Sequence, residues 1–147
     1  MTQPNRSVLR IAWKLHRFWY RVSGGRIGAK LSGLPMLELT TTGRKTGQAR
    51  SVMLMYLADP RGYIVIASNA GSTDDPAWWR NLQSRPSASV RTGRAARDVR
   101  MRLLDGAERA DAWDRAVAAY PGYATYATTA GRTIPVVLLE VERGGAG

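Results

Sequence analysis

The sequence predicts an α+β fold in which an antiparallel β-barrel carries interspersed helices. About six strand-like segments follow one another without the regular strand-helix-strand alternation of a parallel sheet. Two apolar-alternating runs joined by a tight loop, between Leu37 and Leu57, form the clearest hairpin. At 147 residues and 44% hydrophobic content, the chain is long enough for one domain with a sizeable core.

Residues 7–22 are predicted to form an amphipathic helix. One face is apolar, a stripe of basic residues lies nearly opposite, and Trp13 and Tyr20 lie on the flank. Such a helix lies either in a membrane interface or against the barrel with its cations in water. The residues alone favour packing on the barrel. The Gly-rich segment 23–30 is a predicted connection.

The hairpin loop at 43–47, with the sequence GRKTG, is a candidate anion site. Its two glycines permit positive φ angles, and tight turns can direct several N–H groups at one anion. Arg44 and Lys45 add charge and Thr46 adds a hydroxyl, so a phosphate is the natural ligand. A strand follows and the P-loop spacing is absent, which excludes a Walker A motif. From these residues alone, a solvated turn also fits.

The later elements are assigned from apolar periodicity and capping residues. Asp75 is predicted to cap a short helix that begins at Pro76. Asp105 and Glu108 resemble a capping box at the start of a second helix. The strand that begins at Gly62 is predicted to be buried on both faces. The predicted strands cover 62–68, 87–92, 96–104 and 134–141, and the two helices end near 83 and 119.

Composition limits the chemistry and the partners. The net charge of +11 suits nucleic acid, anionic lipid or polyanionic small molecules. The absence of cysteine excludes disulfides and thiolate chemistry, and His16 is the one histidine, with an expected surface or boundary role. No acidic cluster suggests an all-oxygen metal site. No segment is predicted to be a membrane span or a signal peptide, so we expect a cytoplasmic protein, with peripheral membrane contact through 7–22 left open.

Four motifs, in this order, resemble the deazaflavin-dependent nitroreductase family of actinobacteria. They are the loop segment LTTTGRKTGQAR, a Pro-x-Trp-Trp helix start at 76–79, a Tyr-Pro-Gly-Tyr-x-x-Tyr segment at 120–126, and an Arg-Thr-Ile-Pro-Val-Val strand at 132–137. Members of that family are small split β-barrel proteins that use reduced coenzyme F420, which carries a phosphodiester and an oligoglutamate tail. The resemblance therefore implies a split β-barrel deazaflavin-binding domain at 33–143, with 1–32 as helix and connection and 144–147 as a flexible tail.

The resemblance also implies an activity and a set of site residues. Reduced F420 would pass a hydride to a small lipophilic acceptor such as a quinone or a nitroaromatic, and relatives use an N-terminal helix near the active-site mouth to meet such substrates. Tyr120, Tyr123 and Tyr126 would line the acceptor pocket with Ser68, although from the residues alone a packed aromatic cluster is the better explanation. One tryptophan of the 78–79 pair is expected to pack inward and the other to border the coenzyme groove. The implied coenzyme-binding residues are Gly43, Arg44, Lys45, Thr46, Gln48, Arg50, Ala67, Ser68, Asn69, Pro76, Trp78 and Trp79.

The sequence departs from the family pattern at Asn69 and at Asp74-Asp75, where relatives often carry lysines. We expect the two acids to repel the oligoglutamate tail, an effect that Arg80 or Arg85 would offset.

Two other functions also fit the sequence. One is a non-catalytic barrel that binds F420, a flavin or haem, and the other is a basic nucleic-acid-binding barrel. Because the arginines are scattered and not gathered with the aromatics, we expect no nucleic-acid partner. The resemblance further suggests a monomer.

Overall fold

The computed structural model describes residues 30–31 and 34–142, so the predicted helix at 7–22, its Gly-rich connection up to residue 29, His16 and the tail at 144–147 lie outside the described residues. The strands are β1 (Lys30–Leu31), β2 (Leu34–Thr42), β3 (Ala49–Met55), β4 (Leu57–Asp59), β5 (Gly62–Ile66), β6 (Ser87–Thr92), β7 (Ala95–Leu103) and β8 (Val136–Val141). The helices are α1 (Ala77–Ser84), α2 (Gly106–Ala119) and α3 (Gly122–Ala130), and a short 3₁₀ turn covers Asn69–Gly71.

The strands form one antiparallel sheet that curls towards closure. From one edge to the other the order is β3-β2-β6-β7-β8-β5-β4, and β1 also pairs with β2. The two edge strands, β3 and β4, are separated in sequence by Tyr56 alone. Since one residue can bridge only a few ångströms, the sheet must curl until its edges approach each other. This split barrel confirms the predicted fold class.

The barrel interior is filled by one face of the alternating strands. Leu37 and Leu39 of β2 and Val137 and Leu139 of β8 are fully buried there, as the hairpin alternation predicts. Helix α1 contributes apolar side chains to the same cluster. This shared burial holds α1 against the barrel. The position of α1 in turn determines where the loop at 43–48 lies.

A second core lies between the sheet and the other two helices. Val136 and Leu138, on the opposite face of β8, pack in one cluster with Ile64 and Ile66 of β5. Helices α2 and α3 cover this face with Ala112, Ala116, Tyr123 and Ala130. Both faces of β5 and β8 are therefore buried, which confirms the prediction for the strand that begins at Gly62.

Some local sequence predictions differ from the structure. The predicted count of about six strands missed the very short β1 and β4. Asp75 does not cap α1, because its carboxylate accepts a hydrogen bond from Arg132 at 2.9 Å. The predicted capping box is also wrong: Asp105 makes no side-chain capping bond, and Glu108 pairs with Arg61 at 2.7 Å. Asp75 and Glu108 instead form ion pairs with arginines that are distant in sequence, and such pairs are stronger than a capping hydrogen bond.

The outer face of β2 is more buried than its polar residues suggest. Glu38, predicted on the face opposite Leu37 and Leu39, is only 3% exposed and lies across from Met53 of β3, which is also buried. Alternation correctly predicts which face a side chain occupies, but it does not predict whether that face is covered.

Candidate functional site

The loop between β2 and β3 has a tightly hydrogen-bonded backbone. Gly43 N–H donates to Gln48 O and Gly47 N–H donates to Gly43 O, each at 2.8 Å. Gln48 N–H donates to Thr46 Oγ1 at 3.2 Å, and Gly47 adopts a φ of +72° that few other residues tolerate. A Cβ on Gly43 would lie 3.0 Å from Thr46 Oγ1 and 3.1 Å from Gln48 O, so only glycine fits without displacement. These hydrogen bonds and the two glycines hold the loop in a tight turn, as its sequence predicts.

The side chains of this loop form a concentrated positive charge. Arg44, Lys45 and Arg50 are all exposed, and none of them pairs with a carboxylate within the described residues. The aliphatic part of Arg50 approaches Gly43, with its Cγ 3.5 Å from where a Cβ would stand. Two cations on this tight turn and a third beside it, with no carboxylate partner among the described residues, create a positive potential that favours an anion such as a phosphodiester.

Asn81 of α1 attaches this loop to the barrel. Its side-chain oxygen accepts from the Arg44 N–H at 3.1 Å, and its amide donates to Thr41 Oγ1 at 3.1 Å. Asn81 is 4% exposed, so these bonds satisfy a polar group that would otherwise be costly to bury. Sequence analysis missed Asn81. The signal was its helical spacing from Trp78, which places a polar amide on the buried face of α1.

Both predicted tryptophans are buried. Trp78 is 7% exposed and Trp79 is 4% exposed, and both belong to the barrel-interior cluster together with Leu82. Both therefore pack inward, and the expectation that one of them also borders the coenzyme groove stays a prediction. A helix of eight residues needs a large apolar area to hold it on the barrel, and this one uses both indoles. Pro76, at the entry to α1, is also buried.

The segment after β5 turns sharply between two clusters of predicted site residues. Ala67 and Ser68 are buried, and the Ala67 N–H donates to Pro135 O at 2.9 Å. Asn69 and Ala70 then have φ values of +47° and +53°, which are unusual for residues with side chains. Asn69 is exposed, and its amide donates to Asp74 O at 3.0 Å.

Arg132 holds this segment in place, a role that sequence analysis did not assign to it. Its Nη2 donates to the carbonyl oxygens of Ala67, Ser68 and Asp74 at 3.1–3.2 Å. Its Nε donates to Ser72 O at 3.2 Å. Arg132 is 57–65 residues away from these partners in sequence, and no local pattern indicates such contacts.

The three predicted tyrosines form one aromatic cluster at α3. Their ring centroids lie 5.1–6.2 Å apart, and the hydroxyls of Tyr120 and Tyr126 are 3.2 Å apart. Tyr123 is 4% exposed and also contacts Trp113, whereas Tyr120 and Tyr126 are half-buried. The packing of the three rings agrees with the aromatic-cluster interpretation, and their place in an acceptor pocket stays a prediction. Tyr123 belongs to the core, while two hydroxyl-bearing rings reach towards its surface.

Burial determines the protonation of these tyrosines. Desolvation, followed by the hydrogen bond with Tyr120, raises the pKa of Tyr126 to about 12. Desolvation also raises the pKa of Tyr123. At neutral pH both side chains are therefore neutral phenols that can donate a hydrogen bond but do not ionise.

A continuous series of contacts joins the tyrosine cluster to the cationic loop. A Cβ on Gly71 would lie 3.1 Å from Tyr126 Cδ1, so the 3₁₀ turn touches the cluster directly. Arg132 ties this turn to Asp75, which stands just before α1, and Asn81 of α1 contacts the Arg44 N–H. The cationic loop and the cluster of hydroxyl-bearing rings therefore lie at opposite ends of one connected rim.

No helix among residues 30–31 and 34–142 is long and apolar enough to cross a membrane. That part of the chain also contains no group of three or more metal-binding side chains.

Comparisons with known proteins agree on one family. The family model described as F420H(2)-dependent quinone reductase matches residues 12–141. A Mycobacterium tuberculosis protein provisionally named for this activity is 35% identical over 115 residues, covering 78% of this chain and 97% of that protein. A second protein from the same organism, named F420H(2)-dependent quinone reductase, is 40% identical over 81 residues, and the match spans only about half of its length (54%).

Solved structures show the same relationship. A structure of an F420-H2-dependent reductase is 41% identical with a TM-score of 0.65, covering 72% of this chain and 94% of that one. A structure described as a domain-swapped dimer is 34% identical with a TM-score of 0.67, covering 91% of this chain and 98% of that one.

Proposed function

The chain belongs to the F420H(2)-dependent quinone reductase family, and we propose that it transfers a hydride from reduced coenzyme F420 to a lipophilic acceptor such as a quinone or a nitroaromatic. The observation that carries the proposal is the rim that connects the cationic loop to a hydroxyl-bearing aromatic cluster. When bound, the coenzyme supplies the hydride chemistry, so the protein has to bind, orient and exclude water. This division of labour is consistent with a chain that has no cysteine.

The 43–48 loop would hold the coenzyme's phosphodiester. Arg44 and Lys45 supply charge, and the Thr46 hydroxyl, whose Oγ1 accepts from Gln48 N–H, has no acceptor for its own proton among the described residues. Arg50 stands beside the turn and adds a third cation. Each charge-assisted bond contributes about 1.5–3 kcal/mol, so this loop can supply a large share of the binding free energy.

The tyrosine cluster would orient the acceptor. Tyr120 and Tyr126 share one hydrogen bond between their hydroxyls, which leaves at least one hydroxyl proton or lone pair for a substrate oxygen. Because the pKa of Tyr126 is raised to about 12, its role is donation of a hydrogen bond and not proton transfer. Tyr123, buried beneath them, would fix the geometry of the other two rings.

The partners beyond the coenzyme follow from the sequence pattern. We propose that residues 7–22 bring the enzyme to the inner face of the cell membrane, where lipophilic acceptors dissolve, because a basic stripe opposes an apolar face. A monomer remains our expectation for the working unit, and light scattering of the purified full chain would test it.

Coenzyme binding is the first test. The purified full chain is titrated with F420 and separately with FMN, following quenching of its five tryptophans and the coenzyme fluorescence. We expect saturable binding of F420 and not FMN, followed by turnover of a menaquinone analogue. Binding of FMN alone would reassign the barrel to ordinary flavin chemistry. If neither ligand bound, the enzyme proposal would fail and salt-dependent nucleic-acid binding would be the next measurement.

A further inference from the structure

Arg132 makes more side-chain hydrogen bonds than a surface arginine needs. Its guanidinium bonds four backbone carbonyls of the 67–74 segment and also the Asp75 carboxylate, at distances of 2.9–3.2 Å. Its side chain is 15% exposed, and that of Asp75 is 34% exposed. A partly buried guanidinium that bonds this many acceptors at once holds the segment in one conformation.

The segment itself adopts a conformation that requires such support. Asn69, Ala70 and Gly71 have consecutive φ values of +47°, +53° and +80°. Residues with side chains, here Asn69 and Ala70, rarely adopt these angles because the backbone is strained there. On the other side of the turn, a Cβ on Gly71 would lie 2.4 Å from Thr129 Oγ1. The turn is therefore pressed against α3 on one side and tied to Arg132 on the other.

This turn lies where the two halves of the proposed site meet. It contacts Tyr126 through Gly71 and leads through Asp75 into α1, whose Asn81 contacts the 43–48 loop. Any shift of the turn therefore moves Ser68 and the start of α1 relative to the tyrosines. A ligand that extended from the aromatic cluster to the cationic loop along these contacts would lie beside this turn.

We propose that Arg132, anchored by Asp75, is a positioning residue that holds the 68–75 turn in the shape that receives the ring end of the coenzyme. This inference rests on the proposed function, because it names how one part of that site is built. It also reverses the expected role of Asp75. The sequence suggests an acid that repels the coenzyme's oligoglutamate tail, whereas the structure pairs Asp75 with a cation.

The two roles of Asp75 predict opposite signs. If Asp75 anchors Arg132, Asp75→Asn weakens F420 binding, because the charge-assisted bond to Arg132 is lost. If Asp75 repels the tail, the same change tightens binding. Asp74→Asn removes an exposed acid in either case, and we expect it to tighten F420 binding modestly.

The ligand probes distinguish positioning of the ring end from binding of the tail. Dissociation constants are measured for F420 and for the deazaflavin chromophore that lacks the phosphodiester and glutamate tail. We expect Arg132→Gln to raise both constants by about tenfold or more, and Asp75→Asn to raise both by a smaller factor. Arg132→Lys should recover only part of the loss, because an ammonium group cannot reproduce the planar fork.

Arg115→Gln is the matched control, since Arg115 also donates to a backbone carbonyl, Ala58 O at 3.0 Å, but on another part of the molecule. We expect wild-type constants for this variant. Circular dichroism and the melting temperature confirm that each variant is folded, and Asp75→Asn serves as the milder test if Arg132→Gln does not fold.

The outcomes separate this inference from the proposed function. If the wild type binds both probes and Arg132→Gln or the folded Asp75→Asn variant binds them equally well, Arg132 does not position the site, although the proposed function stands. Tighter F420 binding by Asp75→Asn would restore the repulsion predicted from sequence and overturn the anchor. A wild type that binds neither probe would remove the proposed function and the inference together.

Discussion

At the residue scale, the polar side chains that organise the site differ from those that the sequence makes conspicuous. Arg44 and Lys45 could be selected from sequence, because two charges between two glycines in a hairpin turn form a local pattern. Asn81 and Arg132 could not. Their partners are 37 or more residues away, and only the folded chain brings these groups together.

Replacing Asn81 with alanine tests its contact with the cationic loop. We expect Asn81→Ala to lower the free energy of unfolding by about 1–3 kcal/mol, since Thr41 and the Arg44 N–H lose a buried partner. F420 affinity should also fall, while affinity for the tail-free chromophore should be retained. Urea denaturation and fluorescence titration measure these effects. Gln83→Ala, at an exposed position of α1, is the control, and equal losses in both variants would contradict the assignment.

Tyr126→Phe removes a hydroxyl while keeping the ring. We expect kcat/KM for the acceptor to fall by about tenfold, with the dissociation constant of F420 unchanged, because the hydroxyl faces Tyr120 and not the 43–48 loop. Steady-state kinetics with a quinone and a separate coenzyme titration give the two values. A loss confined to coenzyme affinity would place the acceptor elsewhere.

Tyr123 should make the protein sensitive to alkali. Its raised folded-state pKa means that the unfolded chain, whose tyrosines ionise near pH 10, releases its proton first. Stability is therefore fully present below about pH 10 and decreases as the pH rises towards the higher folded pKa. Between about pH 9 and 11, we expect the free energy of unfolding to fall less in Tyr123→Phe than in the wild type. Parallel urea titrations at the two pH values test this, and identical losses would exclude Tyr123 as the cause.

At the element scale, the hairpin, the later strands and α2 could be predicted because apolar alternation, prolines and glycines determine them locally. The ends of α1 and α2 were placed nearly correctly, but the assigned capping interactions were wrong. Asp75 and Glu108 prefer full ion pairs with arginines that fold back from elsewhere. A capping pattern in sequence predicts where a helix starts more safely than it predicts what the acid binds.

The 43–48 loop can be tested as a unit. We expect the double change Arg44→Ala and Lys45→Ala to weaken F420 binding by several kcal/mol at most, about 1.5–3 for each charge-assisted bond. The effect should shrink at high salt. The matched control removes Arg94 and Arg97, two exposed cations at the β6–β7 hairpin. Unchanged F420 affinity in the loop variant, or an equal loss in the control, would remove the loop from the site.

At the scale of the whole molecule, fold class could be predicted but sheet order could not. Neighbouring hairpins follow from the sequence, whereas the pairing of β2 with β6 and of β5 with β8 joins distant segments. No sequence pattern distinguishes these pairings from others of similar hydrophobicity. Only the mutual burial of both faces of β5 and β8, under the helices and inside the barrel, selects them.

Because β8 contributes side chains to both cores, we expect substitutions on its two faces to destabilise the protein equally. Leu138→Ala and Leu139→Ala should each cost about 2–5 kcal/mol, because both side chains are fully buried in different clusters. Leu103→Ala is the control, since Leu103 is 50% exposed, and its cost should stay within about 0.5 kcal/mol. Chemical denaturation gives the three values. A small cost at Leu138 would mean that α2 and α3 are loosely held.

The position of β8 in the sheet has a consequence for biosynthesis. It follows every other described strand in sequence, yet it lies in the middle of the sheet between β7 and β5. While the ribosome is still making the chain, β7 and β5 each have an edge with no neighbour, and the sheet exists as two separate pieces. Such edges can pair with other nascent chains. The barrel therefore cannot close until β8 has left the exit tunnel.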